Sequence, residues 1–288
     1  MEDLTQRIAS IREDREHGSR WLVRETILLL RDLAGDQSLP EEQRVEQTRR
    51  TGRELAYARP AMAALAGAIG RVLSAADSAS GLAAAAIQLL EEYDQAIESI
   101  TAHARPLLQG TIMTHSLSGT VLEVLRACIS SITELIILEG RPLYEGRDVA
   151  RSLNGQSARL TLITDAQAEI FLPTCHALVV GADSILADGS VLNKAGTALL
   201  AHAARAHHVP LYILSETLKI SPRAWSSDLA LLEEHSASEV WSQAPAGIAV
   251  RNFYFDHTPA DLVTRIITEQ GPRNAEQIGQ LAARLQTL

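Results

Sequence analysis

What most limits the folds open to this chain is a change of hydrophobic period near its middle. After Pro106 six short apolar runs, TIMT, ELIIL, RLTLIT, HALVVGA, PLYIL and GIAV, alternate with stretches of helical spacing. Short apolar runs read as strands, and strands separated by helix-length segments join in parallel, because a crossover is what returns the chain to the same end of a sheet. The spacing predicts helices at Ser118 to Ser130, Arg147 to Leu153, Ala166 to Leu172, Lys194 to His207, Pro259 to Glu269 and Ala275 to Leu285. Before Ala104 the pattern is purely helical, as in Trp21, Leu22, Ile27, Leu28, Leu29, Leu30 and Leu33. Turn signals at Pro40 and in the Ser-rich stretch Asp77 to Gly81 divide that part into about five helices. The expected fold is therefore α/β: an N-terminal helical domain over 1–105, then a parallel-sheet domain over 106–288.

Composition narrows the function. With 288 residues and 46% hydrophobic content, a sizeable core is available. The formal net charge of −9, with no local basic patch, argues against nucleic acid as a partner. No apolar run approaches the ~20 residues of a membrane span. The start MEDLTQRIASIRED lacks the basic-then-apolar layout of a signal peptide, so a cytoplasmic protein without a membrane partner is expected. Cys128 and Cys175 lie in apolar surroundings and read as buried structural thiols. No H-E-x-x-H, paired C-x-x-C or acidic cluster appears, so neither metal nor cofactor is expected.

In an open parallel sheet the ligand sits at the carboxyl ends of the strands, where loops turn into helix N-termini. The first such loop, THSLSGT, brings Thr114, His115, Ser116 and Ser118 together with Gly119; it serves equally well as a helix cap, with Ser118 at the N-cap. The second, EGRPLYEGR, offers the guanidinium groups of Arg141 and Arg147 to a phosphate, or forms a solvated turn. The third, GADSILADGSVLNKAGT, places Asp183 directly after a buried strand, where burial raises a carboxyl pKa into the range of a working acid or base. Asp188-Gly189 then reads as a tight turn, and Asn193, Lys194, Gly196 and Thr197 as an anion cradle opening a helix. Lys219, after PLYILSET, could point into the same region or stand solvated, while His235 and His257 read as solvent-facing.

Five segments together carry a family resemblance: THSLSGTVLEVLR, EGRPLYEGRDVARSL, VVGADSILADGSVLNKAGT, HHVPLYILSETLKI and FDHTPADLVTRIITEQG. In order and spacing they resemble the family uniting methylthioribose-1-phosphate isomerases, ribose-1,5-bisphosphate isomerases and the α, β and δ regulatory subunits of translation initiation factor 2B. REHGS at 15–19 and ARPAMAAL at 58–65 match more loosely. The resemblance implies a helical N-terminal domain followed by a Rossmann-like C-terminal domain, a homodimer joined through the C-terminal domains, and a phosphorylated pentose or nucleotide as ligand. It implies that Asp183 is one half of the acid–base pair of the isomerases, and that Arg59, Gly18, Arg141, Asn193 and Lys194 hold the sugar phosphate, with Ser118 and Gly119 beside them. The other half of the pair is a cysteine in the isomerases and Ser116 here, and His17 stands where they usually show arginine. A hydroxyl is far less acidic than a thiol near pKa ~8.5, so ordinary isomerisation needs a substitute, Ser116 itself or His115. The expectation is an aldose–ketose isomerase-like enzyme; the alternative is a non-catalytic sensor or regulatory subunit resembling the α subunit of the translation factor.

Overall fold

The computed structural model describes residues 4–14, 18–59 and 61–285. The helical part comprises α1 (Leu4–Glu13), α2 (Ser19–Gly35), α3 (Glu41–Ala56), α4 (Ala63–Ala75) and α5 (Ala79–Ala104). Leu22, Ile27, Leu29 and Leu30 of α2 are fully buried against Leu55, Leu65, Ile69 and Leu82 of the other helices. The helical spacing of those residues is what makes one continuous apolar face per helix.

The remaining strands are β1 (Gly110–Thr114), β2 (Ile132–Leu138), β3 (Arg159–Ile163), β4 (Ala177–Val180), β5 (Ser184–Ile185), β6 (Val191–Lys194), β7 (Leu211–Leu214), β8 (Phe255–Thr258), β9 (Arg265–Thr268) and β10 (Gly271–Arg273). Between them lie α6 (Gly119–Cys128), α7 (Glu145–Leu153), α8 (Ala168–Phe171), α9 (Thr197–Ala206), α10 (Ala237–Val240) and α11 (Ala275–Ala282). Seven strands form one sheet in the order β10-β9-β7-β4-β1-β2-β3, parallel except at β10. Side chains of successive residues go to opposite faces: Ile112, Leu135, Ile137, Ala177 and Val179 pack with α5, α6 and α7, while Met113, Ile136, Leu138, Leu178 and Val180 pack with α8, α9 and α11. Strands buried on both faces have no polar face to show, which is why ALVV carries no alternation. Chain order reverses between β1 and β4, and the crevice at their carboxyl ends is the expected ligand position.

Three expectations are corrected here. Pro259 to Glu269 is not a helix: a single 3-10 turn leads into β9, because β-branched Ile266 and Ile267 bury themselves beside β7. GIAV is not a strand; Ile248 is half exposed, in a long excursion between β7 and β8 that offers it no pairing edge. The helix expected from Lys194 starts instead at Thr197, since Asn193 and Lys194 belong to β6, held between β5 and β8 in a small antiparallel sheet. The apolar stripe of α11 covers the main sheet through Ile278 and Ala282, leaving it unavailable to a subunit interface. Both cysteines are buried and unpaired with each other, and burial pushes the Cys175 thiol up to about 11. Among the described residues no helix is long and apolar enough to cross a membrane.

Candidate functional site

A cavity of about 310 Å³ opens over the ends of β1 and β4. Ligand clefts span roughly 300–1,000 Å³, so this one fits a pentose phosphate better than a dinucleotide. A larger open groove runs along α3 between Pro40 and Ser78, but one helix face and one turn line it, with no convergence of strand-end loops.

The loop after β1 supplies His115, Ser116 and Leu117, then turns into α6 with Ser118 capping the Val121 amide and Gly119 in the first turn. From β4 the chain passes through Gly181 and Ala182 to Asp183. Gly181 is glycine for a steric reason: a Cβ there would stand 2.6 Å from Ser118 Oγ, forcing the two loops apart. The helical part closes the cavity with Asp14, Gly18, Ser19 and Arg59, the excursion with His235 and Tyr254, and β8 with Phe255. Three helix N-termini, those of α2, α6 and α7, border the cavity; acidic Glu145 stands at the last, and the other two bias the cavity toward anions.

Its charges are arranged in two groups. At the floor, burial pushes the Asp183 carboxyl up to about 6, against the opposing pull of Lys219. Lys219 is buried and donates to the Ala182 carbonyl at 2.7 Å, which fixes its ammonium beside that loop. On the wall, Ser116 Oγ donates to Glu145 Oε2 at 2.5 Å, and Lys194 Nζ donates to Glu145 Oε1 at 2.7 Å while lying 3.6 Å from the centroid of the Tyr254 ring. Ser116 sits at φ 67, a left-handed conformation that costs a non-glycine residue energy and aims its hydroxyl at Glu145. Arg59 donates to the Asp14 carbonyl and to both Glu233 oxygens, so it frames the cavity through an ion pair. Burial raises the Glu233 carboxyl, but His235 and Arg59 outweigh it and hold it below its ordinary value.

Not every residue singled out in the sequence arrives there. Asp183, Ser116, His115, Arg59, Gly18, Asn193, Lys194, Ser118 and Gly119 all line the cavity. Arg141 does not: its guanidinium donates to the Tyr144 hydroxyl and the Val240 carbonyl, and Arg147 stacks 3.9 Å from the same ring and pairs with Glu139. His115 is buried with Nε2 donating to the Ala195 carbonyl at 3.0 Å, and burial lowers its pKa, which favours the neutral ring. Asn193 donates to Thr197 Oγ1 at 2.9 Å, and the N-terminus of α9 is taken: Asp256 accepts from the Gly196 and Ala198 amides. His17 lies outside the described residues. Lys219 lines the cavity, the first of its two readings, whereas His235, expected to face solvent, also lines it and stacks on Tyr254 at 3.8 Å. Glu145 was not singled out at all. Its one signal was an acidic residue in the first turn of a helix following a strand, a position more often explained by the helix dipole.

Comparison with known proteins agrees with this architecture. A translation initiation factor eIF-2B subunit 2-like protein of Pyrococcus horikoshii is 32% identical, covering 92% of this chain and 94% of that protein. The ribose 1,5-bisphosphate isomerase of Archaeoglobus fulgidus is 30% identical, covering 94% and 90%. The crystal structure of the Pyrococcus horikoshii OT3 translation initiation factor eIF-2B superposes with a TM-score of 0.81 at 30% identity, covering 94% of this chain and 97% of that one. The profile of the initiation factor 2 subunit family matches residues 15–274, and with the fold, the switch-point cavity and these relatives in agreement, the chain belongs to that family.

Proposed function

We propose that the cavity binds a phosphorylated pentose and interconverts its aldose and ketose forms, with Asp183 moving the proton between C1 and C2. The observation that carries this reading is the Asp183 carboxyl at the cavity floor, raised to about 6 by burial and faced by Lys219. Such a group is ionised at neutral pH, yet close enough to it to return the proton it takes. Lys194, Lys219 and the N-termini of α2 and α6 supply the positive field that a phosphate needs. The relative from Archaeoglobus fulgidus, an isomerase of ribose 1,5-bisphosphate, supports that substrate class. The protein acts in the cytoplasm as a homodimer joined through its C-terminal region; sedimentation at micromolar concentration showing a monomer would remove that part.

A second reading has its own observation. Ser116 stands where the isomerases have cysteine, and its hydroxyl is already committed to Glu145. Without a second proton-handling group the cavity would bind a sugar phosphate or nucleotide without turning it over, as a sensor or regulatory subunit. Calorimetric titration with ribose 1,5-bisphosphate, methylthioribose 1-phosphate, ribose 5-phosphate and AMP, followed by proton NMR of each mixture, separates the two. Conversion to a ketose establishes the enzyme, binding without conversion establishes the sensor, and no binding by any of the four sinks both.

A further inference from the structure

The wall of the same cavity that holds Asp183 carries a chemical arrangement of its own. Glu145 reaches it from α7, Ser116 from the loop after β1 and Lys194 from β6, so three separated elements converge on one carboxylate. That carboxylate accepts from a hydroxyl at 2.5 Å, an ammonium at 2.7 Å and the Leu117 amide at 3.4 Å. Ser116 adopts a left-handed backbone to make its contact.

We infer that Glu145, acting through Ser116, replaces the missing thiol as the second proton-handling group of the site. The inference rests on the isomerase reading above. The step starts from Glu145 in its carboxylic acid form, with Lys194 turned from Glu145 to the phosphate of the substrate. The proton balance of a furanose 1-phosphate then closes without any redox partner. Asp183 takes the hydrogen of C2 as a proton, the C2–H electron pair forms the C1–C2 double bond, and the C1–O bond of the ring breaks. The ring oxygen receives the Ser116 proton, which Glu145 replaces. In the second half Asp183 returns its proton to C1, and the C2 hydroxyl loses its proton back along Ser116 to Glu145 as the C2 carbonyl forms. The groups facing Glu145 include Lys194, the hydroxyl of Ser116, Asp148 of its own helix, His115 and Asp183. His115 is neutral and bound to Ala195, so among these Glu145 is the carboxylate in contact with Ser116.

The test measures kcat and KM against pH for the wild type, Glu145→Gln, Ser116→Cys and the double variant, with ribose 1,5-bisphosphate as substrate and calorimetry of the same ligand as an independent check of binding. Glu145→Gln should bind at least as tightly as the wild type and lose about 10²–10⁴-fold in kcat. In the double variant the thiol handles its own proton, so much of that loss should return at neutral pH and fall away as pH rises through ~8.5, where the thiol that must donate to the ring oxygen ionises. Wild-type kcat in Glu145→Gln overturns the inference and leaves the isomerase standing; recovery absent from the double variant also overturns it, since Glu145 would not then act through residue 116. Binding without turnover by the wild type removes the isomerase reading and this inference together.

Discussion

Asp183 and Asp256 look alike by charge and burial, and each carboxyl is pushed up to about 6 by burial. Their surroundings differ. Asp256, on β8, spends both oxygens on backbone amides, at 2.7 Å from Gly196 and 3.1 and 3.2 Å from Ala198, and so caps α9. Asp183 lines the cavity, and among the described residues no side-chain hydrogen bond reaches its carboxylate. A raised pKa alone therefore does not mark a catalytic carboxyl; a raised pKa whose lone pairs remain available to a ligand does.

The largest effect that would break this contrast is on turnover. Asp183→Asn should lower kcat on ribose 1,5-bisphosphate by about 10²–10⁴-fold while leaving binding within a few-fold. Asp256→Asn should leave kcat within a few-fold, because the amide oxygen still caps the helix. Equal losses in the two variants would show that Asp183 matters to the fold and not to the chemistry. In the wild type, kcat/KM should rise with pH through about 6 as Asp183 ionises, and that limb should be absent from the residual activity of Asp183→Asn.

Stability sharpens the comparison in the other direction. Asp256→Ala strips the cap of α9 and should cost ~1–2 kcal/mol in urea unfolding, more than Asp183→Ala, which strips no hydrogen bond of that kind. The pH dependence has a definite sign. An aspartate titrating near 6 in the folded chain and ~3.9 in the unfolded one leaves the folded state holding the extra proton between those values. Stability contributed by each aspartate is thus full below about pH 4 and lost as pH rises through 6. Asp183→Asn should flatten its share, roughly 1 kcal/mol after solvent screening in the open cavity. A difference curve between wild type and variant that is level from pH 4 to 7 would remove the shift.

How far the sequence reveals this site follows from how local each interaction is. Asp183 was legible because a carboxylate one loop beyond a fully buried strand has a predictable position. The five parallel strands from TIMT to PLYIL were legible for the same reason. β9 was not: Val263, Ile266 and Ile267 fit a helical stripe as well as a strand, and β7, 53 residues earlier by register, decides the matter. Lys194 was placed on a helix because its pairing with Phe255 of β8 lies far along the chain. Glu145 escaped for lack of any nearby partner, meeting Lys194 across 49 positions. Tertiary pairings of this kind leave no periodic trace.

The smallest expected effect concerns Arg141, which the loop sequence offers to a phosphate as readily as Lys194. Arg141 spends one nitrogen on the Tyr144 hydroxyl at 2.6 Å and another on the Val240 carbonyl at 2.9 Å, and its guanidinium lies 5.1 Å from the Tyr144 ring centroid. Its side chain is exposed, and the cavity wall passes through Leu143 and Glu145 without it. Arg141→Ala should therefore leave the affinity for ribose 1,5-bisphosphate within two-fold and cost about 0.5–1 kcal/mol of stability through the lost stacking. Lys194→Ala, which removes a buried ammonium from the cavity itself, should weaken the same ligand by about ten-fold or more. Equal losses of affinity in the two variants would mean that Arg141 leaves Tyr144 when a phosphate arrives, and that the wall of the site extends to the start of the loop after β2.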